Sequence, residues 1–383
     1  MDPTLVIMWV GFILAGYSVV GNDSIQTLGT FLSSNEQRAW YVLWMYAGSI
    51  LAFTLLYGWY HYSGDVSYGR LQKYAFIENM TWPYLLPPLV LMLLTRSGIP
   101  VSTSFLILTF FKPSGLYDMT MKSILGYVLA FALAILVWQA ITKLLDRRFI
   151  ENPITPRENR IWTVLQWCST GFLWGQWLIQ DFANIFVYLP RGLTGLEITL
   201  SLTILLLLLG YIFYSRGGSI QEIVKAKTNT VDIRSATLID FLYALILLFF
   251  KEYSNVPMST TWVFLGLLAG REIAIRYQLG KAGTGVNPTS LRYVGMAMNA
   301  VLLAMVLYIV YLRDQVSNQL IGAFAVLIII RAVVVFWETN RQGIAFKGTF
   351  RMVGLDLGKI TFGLVVSIAL VYIMKYLTAG AVG

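Results

Sequence analysis

Apolar runs recur from one end of this sequence to the other, each near the roughly 20 residues that a helix needs to cross a bilayer. That length constrains the fold more than any other feature. In lipid, every backbone N–H and C=O must be satisfied within the protein, so helices and closed barrels are the spanning solutions. The runs lack the two-residue alternation of a barrel strand. An all-α polytopic membrane protein is therefore expected. Composition agrees: 57% of the 383 residues are hydrophobic and 12% charged, where soluble domains carry about a quarter charged residues. Apolar segments are expected at 4–33, 39–62, 80–111, 122–145, 161–189, 194–215, 235–277, 290–312, 317–338 and 352–378.

Two of these segments are too long and too broken for one straight span. Segment 80–111 contains Arg96-Ser97-Gly98-Ile99-Pro100, and segment 235–277 contains Lys251-Glu252-Tyr253-Ser254-Asn255-Val256-Pro257. Each is expected to be a re-entrant hairpin of two half-length helices. A turn at that depth must be buried in protein or line a wet cavity. With the hairpins re-entrant, basic residues gather in the loops facing away from the N-terminus, as at Arg147, Arg148, Arg157, Arg160, Lys225 and Lys227. They are sparser on the N-terminal side, where Arg70, Lys73 and Lys122 fall. The positive-inside rule then places both termini outside the cytoplasm, and the lack of targeting segments fits a prokaryotic plasma membrane. The net charge of +9 reads as orientation rather than as nucleic-acid binding. Met1-Asp2-Pro3 carries no basic stretch, so the first apolar segment is expected to be retained.

The chain is also duplicated. Asn22-Asp23 and Gln180-Asp181 place their aspartates 158 residues apart. Pro100-Val101-Ser102-Thr103-Ser104 and Pro257-Met258-Ser259-Thr260-Thr261 place their prolines 157 apart. Two unrelated motifs share nearly one offset. Each half has the order interrupted helix, span, hairpin, span. Three spans per half is odd, so the second half is expected to sit inverted. The expected organisation is a first repeat at 1–145, an inverted second repeat at 161–312, and two further helices in 313–383. Inverted repeats with interrupted helices mark secondary transporters with a midplane site.

Gly21-Asn22-Asp23-Ser24-Ile25-Gln26-Thr27-Leu28-Gly29-Thr30 resembles the GxNDxANxxGT signature of the PiT inorganic phosphate transporters, and Gln180-Asp181-Phe182-Ala183-Asn184 resembles its second copy. The two Pro-x-Ser-Thr stretches resemble that family's PVSTTH motif, with Phe105 and Trp262 where its His stands. The resemblance covers about residues 1–312. It implies symport of phosphate, or of sulfate as in some bacterial members, with Na+ or H+ as the coupling ion and no other cofactor. It further implies that Asp23 and Asp181 bind the cation, while Asn22, Gln180 and Asn184 bind the anion. The family also carries a Glu in the span after each ND motif, for which Glu197 is the candidate here.

The residues support an anion site independently. Proline in a first helical turn followed by Ser and Thr reads as a helix N-terminus, whose free N–H groups and dipole favour anions. Ser102, Thr103, Ser104, Ser259, Thr260 and Thr261 would add hydroxyl donors, against the plainer reading that they cap and pack their helices. Asp23 and Asp181 are costly in a bilayer, about 2.5–3.5 kcal/mol each at the centre of a span. Arg96 and Lys251 occupy comparable places before the two hairpin prolines and are candidate fixed positive charges. The alternative for both is snorkelling to water. Arg331, Glu338, Asp356 and Lys359 read as pairing between the last helices.

Other chemistry is set aside. His61 is the one histidine, so neither a His-based metal site nor a Ser-His triad is available. Gly280-Lys281-Ala282-Gly283-Thr284-Gly285 lacks P-loop spacing. The expected function is secondary active transport of a small inorganic oxyanion by alternating access, not enzymatic turnover, with a homodimer as one arrangement open to it. The alternatives are a membrane-embedded enzyme acting on lipid head groups and a transport-inactive anion-binding relative.

Overall fold

The computed structural model describes residues 2–97, 102–141, 154–216, 233–253, 259–270 and 347–379, together with 304, 308, 323, 326, 327 and 330. The described residues are helical and contain no strand. The helices are α1 (Pro3–Ser34), α2 (Trp40–His61), α3 (Leu86–Arg96), α4 (Thr103–Phe111), α5 (Leu116–Ile141), α6 (Pro156–Phe186), α7 (Gly195–Tyr214), α8 (Ile233–Tyr253), α9 (Thr260–Gly270) and α10 (Lys347–Ala379). Among the described residues, four stretches are long and apolar enough to cross a membrane: Pro3–Ser24, Trp40–His61, Pro113–Ile135 and Gly195–Tyr214. Of the expected spans at 290–312 and 317–338, only those six residues are described. Pro100, Val101, Pro257, Met258, Arg331, Glu338 and the glycine-rich 280–285 lie outside the described residues, as do the side chains of Lys251, Asp356 and Lys359.

The helix starts follow the sequence. Asp2 caps α1, accepting from Thr4 N–H at 2.9 Å, with Pro3 in the first turn. Thr155 and Glu158 form a reciprocal capping box on α6, and Thr194 and Glu197 form another on α7. Each box satisfies two backbone donors that a helix start would otherwise leave open. Glu197 is thereby used as a cap: its carboxylate accepts from Thr194 N–H and the Thr194 hydroxyl, both at 2.8 Å. It is not brought to the buried aspartates.

One expectation is corrected. The helices carrying Asn22-Asp23 and Gln180-Asp181 are not interrupted, since α1 runs 32 residues and α6 runs 31 without a break. No proline falls inside either helix, and the polar side chains bond sideways while the backbone ladder stays intact. The first broken segment does divide into short helices: α3 has 11 residues and α4 has 9, about 17 and 14 Å at 1.5 Å per residue. In the second, the leading arm α8 has 21 residues rather than half a span.

α6 is the centre of the packing. Its most extensive partner is α8, followed by α1, while α2 lies against α7 and α10 against α4. Trp174 and Trp177 of α6 are buried and stacked at 4.9 Å between ring centroids. The Trp174 indole donates to Ala47 O of α2 at 3.0 Å. α9 lies backbone to backbone on α5, because Gly266 and Gly270 face the Tyr127 and Phe131 carbonyls where a Cβ would overlap them. Small residues four apart permit such close approach in membranes. Ser123 of α5 also accepts from Ser259 N–H at 3.0 Å, so α5 fixes where α9 begins.

Candidate functional site

α1 and α6 carry Asp23 and Asp181 into the interior, where they are 0% and 1% exposed. Each carboxylate lies in the other's electrostatic field. On α1, the Asn22 amide donates to Asp23 Oδ1 at 2.6 Å and the Gln26 amide donates to the same oxygen at 3.3 Å. On α6, the Asn184 amide donates to Asp181 Oδ1. Gln26 and Asn184 both stand three residues after their aspartate, one helical turn on and on the same face.

The starts of α4 and α9 close the cluster from the other side. The Asn184 amide of α6 donates to Thr103 Oγ1 of α4 at 3.1 Å. Reciprocally, the Gln26 amide of α1 donates to Thr261 Oγ1 of α9 at 3.4 Å. The Thr103 hydroxyl also faces both carboxylates, reaching Asp181 Oδ1 at 3.5 Å. Thr261 faces Asp23, and Thr260 faces Asp181. Phe105 and Trp262, at corresponding places behind the two motifs, meet with ring centroids 5.4 Å apart.

Four buried acceptor oxygens in this cluster have no donor: Asp23 Oδ2, Gln26 Oε1, Asp181 Oδ2 and Asn184 Oδ1. They come as two matched pairs, one on each helix. Leaving a buried polar atom unpaired costs about 1–3 kcal/mol, so a set of four in one place marks a position where something else supplies the partner. Carboxylate and amide oxygens are the donor set of a hard cation. Among the described residues, no group of three or more His, Cys, Asp or Glu side chains could hold a metal.

The other sequence candidates fall in different places. Ser102 and Ser259 act as helix caps, accepting from Phe105 N–H at 3.3 Å and Trp262 N–H at 3.2 Å. Ser104 is buried on α4 beside Thr103. The Gln180 amide turns away from the aspartates and donates to Leu247 O of α8 at 3.2 Å, where it fastens α6 to α8. Arg96 is exposed at the end of α3, with its guanidinium 5.9 Å from the Tyr17 ring centroid. It stays at the C-terminus of a helix, whose carbonyl ends favour a cation. It is not brought into the cluster. Lys251 lies on α8, with its side chain outside the described residues.

Several residues of the interior escaped sequence reasoning. Gln26 had a usable signal, since it shares with Asn184 the third position after an aspartate. Asp240 of α8 had none: it is buried, and its two oxygens accept from Thr30 of α1 and Thr170 of α6, each at 2.6 Å. Arg70 read as one more loop charge, yet it is 2% exposed.

No protein-family model matches this sequence, and no curated protein matches it. Among solved structures, one described as "The sodium-dependent phosphate transporter" aligns over 88% of this chain and 99% of its own, with 16% identity and a TM-score of 0.48.

Proposed function

We propose that this chain is a secondary active transporter of a small inorganic oxyanion, phosphate before sulfate, coupled to Na+ or H+ and working by alternating access. The observation that carries the reading is the exchange of hydrogen bonds between halves, Gln26 to Thr261 and Asn184 to Thr103, around four unpartnered oxygens. Such an exchange ties each long helix to the hairpin of the opposite half. Rocking one half against the other would make and break it.

The coupling cation is held by Asp23 Oδ2, Gln26 Oε1, Asp181 Oδ2 and Asn184 Oδ1. Two buried carboxylates in each other's field repel, and a bound cation or a shared proton relieves that repulsion. The oxyanion sits on the Thr103, Ser104, Thr260 and Thr261 hydroxyls at the starts of α4 and α9. Helix N-termini favour negative charge there. Anion and cation thus bind side by side, and each lowers the electrostatic cost of the other. That mutual dependence is the physical basis of coupled transport. A protonated phosphate can donate to a carboxylate oxygen and sulfate at neutral pH cannot, which favours phosphate. The two halves are read as inverted repeats, with both termini outside the cytoplasm.

The test is uptake of labelled phosphate and labelled sulfate into proteoliposomes, with and without Na+ and proton gradients. Saturable, gradient-driven uptake of one anion is expected, falling at least about tenfold in Thr103→Ala/Thr261→Ala as charge-assisted hydrogen bonds are lost. No uptake of either anion under any gradient, by protein shown to be folded, overturns the reading. Release of a product from lipid in the same vesicles would replace it with an enzyme.

A further inference from the structure

Two arginines outside the helices are withdrawn from water, and they differ in one respect. Arg191, in the segment after α6, spends both Nη atoms on backbone carbonyls and leaves only Nε without an acceptor: Nη1 donates to Phe186, Val187 and Leu189, and Nη2 to Tyr74 and Ala75, at 2.9–3.4 Å. It is a staple between two loops. Arg70, in the loop between α2 and α3, is 2% exposed, and its Nε and Nη1 have no acceptor.

The loop around Arg70 is built rather than slack. The Asp65 carboxylate accepts from Ser67 N–H at 2.7 Å, the Ser67 hydroxyl at 2.5 Å and Gly69 N–H at 3.1 Å. Ser67 Oγ accepts from Leu71 N–H at 3.2 Å, and the Tyr68 hydroxyl donates to Thr54 O of α2 at 2.6 Å. Gly64, at φ +94°, lies against Gly192, and its carbonyl accepts from Leu193 N–H at 3.2 Å. The backbone of Arg70 is thus fixed on both sides, and Val66, Leu71 and Tyr74 are buried around it. Burial draws the guanidinium down to about 10 while the charge of Asp181 pulls the other way. At neutral pH it therefore remains a cation, within the field of the aspartate cluster.

A buried guanidinium with two open donors costs more than a buried neutral group unless an anion meets it. The carboxylate whose field it shares keeps Oδ2 unpartnered, so the structure has not used one to satisfy the other. We infer that Arg70 is a ligand of the transported tetrahedral oxyanion, its open Nε and Nη1 supplying fixed, positively charged donors to the site within the field of Asp181. A guanidinium is always charged near neutral pH and holds its N–H donors in a rigid plane, which suits an oxyanion. This rests on the oxyanion-transport reading and adds to it a residue that lies outside both repeated motifs. It also explains how an anion can approach two buried carboxylates.

The test is equilibrium binding of labelled phosphate and of labelled sulfate to purified full-length protein. Wild type, Arg70→Gln, Arg70→Lys and Arg70→Gln/Asp181→Asn are compared, with thermal unfolding as the check on folding. Arg70→Gln is expected to weaken binding of the preferred anion about ten- to a hundredfold. Arg70→Lys keeps the charge without the planar guanidinium donors and recovers part of that loss. The double variant recovers none of it. Unchanged affinity in folded Arg70→Gln overturns the inference and leaves the transport reading standing. Wild-type affinity in the double variant also overturns it, since Arg70 would then be only the counter-charge of Asp181. If wild type binds neither anion, the transport reading and the inference fall together. Should Arg70→Gln not fold, Arg70→Lys decides alone: full wild-type affinity overturns the inference, and a loss of several-fold or more supports it.

Discussion

The same two helices, α1 and α6, pass through two buried carboxylate centres with opposite bookkeeping. At Asp240, Thr30 and Thr170 each donate to one oxygen, and neither oxygen is left over. At Asp23 and Asp181, the amides and hydroxyls crowd onto the Oδ1 atoms and both Oδ2 atoms stay open. Burial is alike, at 0–1% exposure for all three. What differs is satisfaction. A carboxylate with both oxygens paired is a clamp joining α8 to α1 and α6. A pair with matched open oxygens has partners still to come. Burial of a charged residue is therefore common to both centres, and the unmet hydrogen bonds are what set the candidate site apart.

The largest effect that could break this contrast is at the open centre. Asp181→Asn is expected to abolish gradient-driven oxyanion uptake, by at least about a hundredfold, because the carboxylate charge lost there is worth several kcal/mol in a buried setting. Its thermal unfolding temperature should be unchanged or higher, as a buried charge has been removed. Uptake that survives in Asp181→Asn would make the open centre structural as well. The reverse is expected of the closed centre. Asp240→Ala removes the shared acceptor of two hydroxyls and should destabilise by about 1–3 kcal/mol, read as a drop in unfolding temperature in detergent. Asp240→Asn keeps one acceptor oxygen and should cost far less, with the uptake KM of the surviving protein near wild type. A raised KM without loss of stability would bring Asp240 into the transport site.

Smaller substitutions sharpen the comparison. Gly266→Val drives a side chain into the Tyr127 carbonyl, which should cost about 1–3 kcal/mol. It should also weaken anion binding, because α9 presents Thr260 and Thr261. Thr30→Val and Thr170→Val should each lower stability by about 1.5–3 kcal/mol, the worth of a hydrogen bond to a charged group, and leave uptake alone. Smallest is Glu197→Ala, which removes half of a capping box for about 1 kcal/mol. Its uptake and Na+ dependence should match wild type, and a loss of Na+ dependence would return Glu197 to the cation site.

Much of the fold and part of the site were legible in the sequence, for identifiable reasons. Run length gave the helices, because it is local, but not their starts: the segment expected from 161 begins at Pro156, where the Thr155–Glu158 capping box sets it. The common offset of the Asp and Pro motifs pointed to Asp23, Asp181, Thr103, Thr260 and Thr261, since a duplicated polar motif in apolar helices has few other reasons to exist. Local pattern also misled. Asn22-Asp23 reads as a helix break, yet lateral hydrogen bonds to Gln26, which itself reaches Thr261 of α9, let the backbone run straight on. Arg96 read as a site charge from its place before a hairpin proline, yet its side chain lies exposed over Tyr17.

By itself, then, the sequence determined an all-helical, membrane-length chain and which polar residues recur in its two halves, because hydrophobicity and spacing are written along the chain. Only the tertiary structure decided which polar atoms find partners. Whether Asp240 is closed, whether Asp181 is open and whether Arg70 is buried depend on residues 70 to 210 positions away or on loop packing. Hydrogen-bond satisfaction belongs to pairs of atoms in space, and no single stretch of sequence carries it.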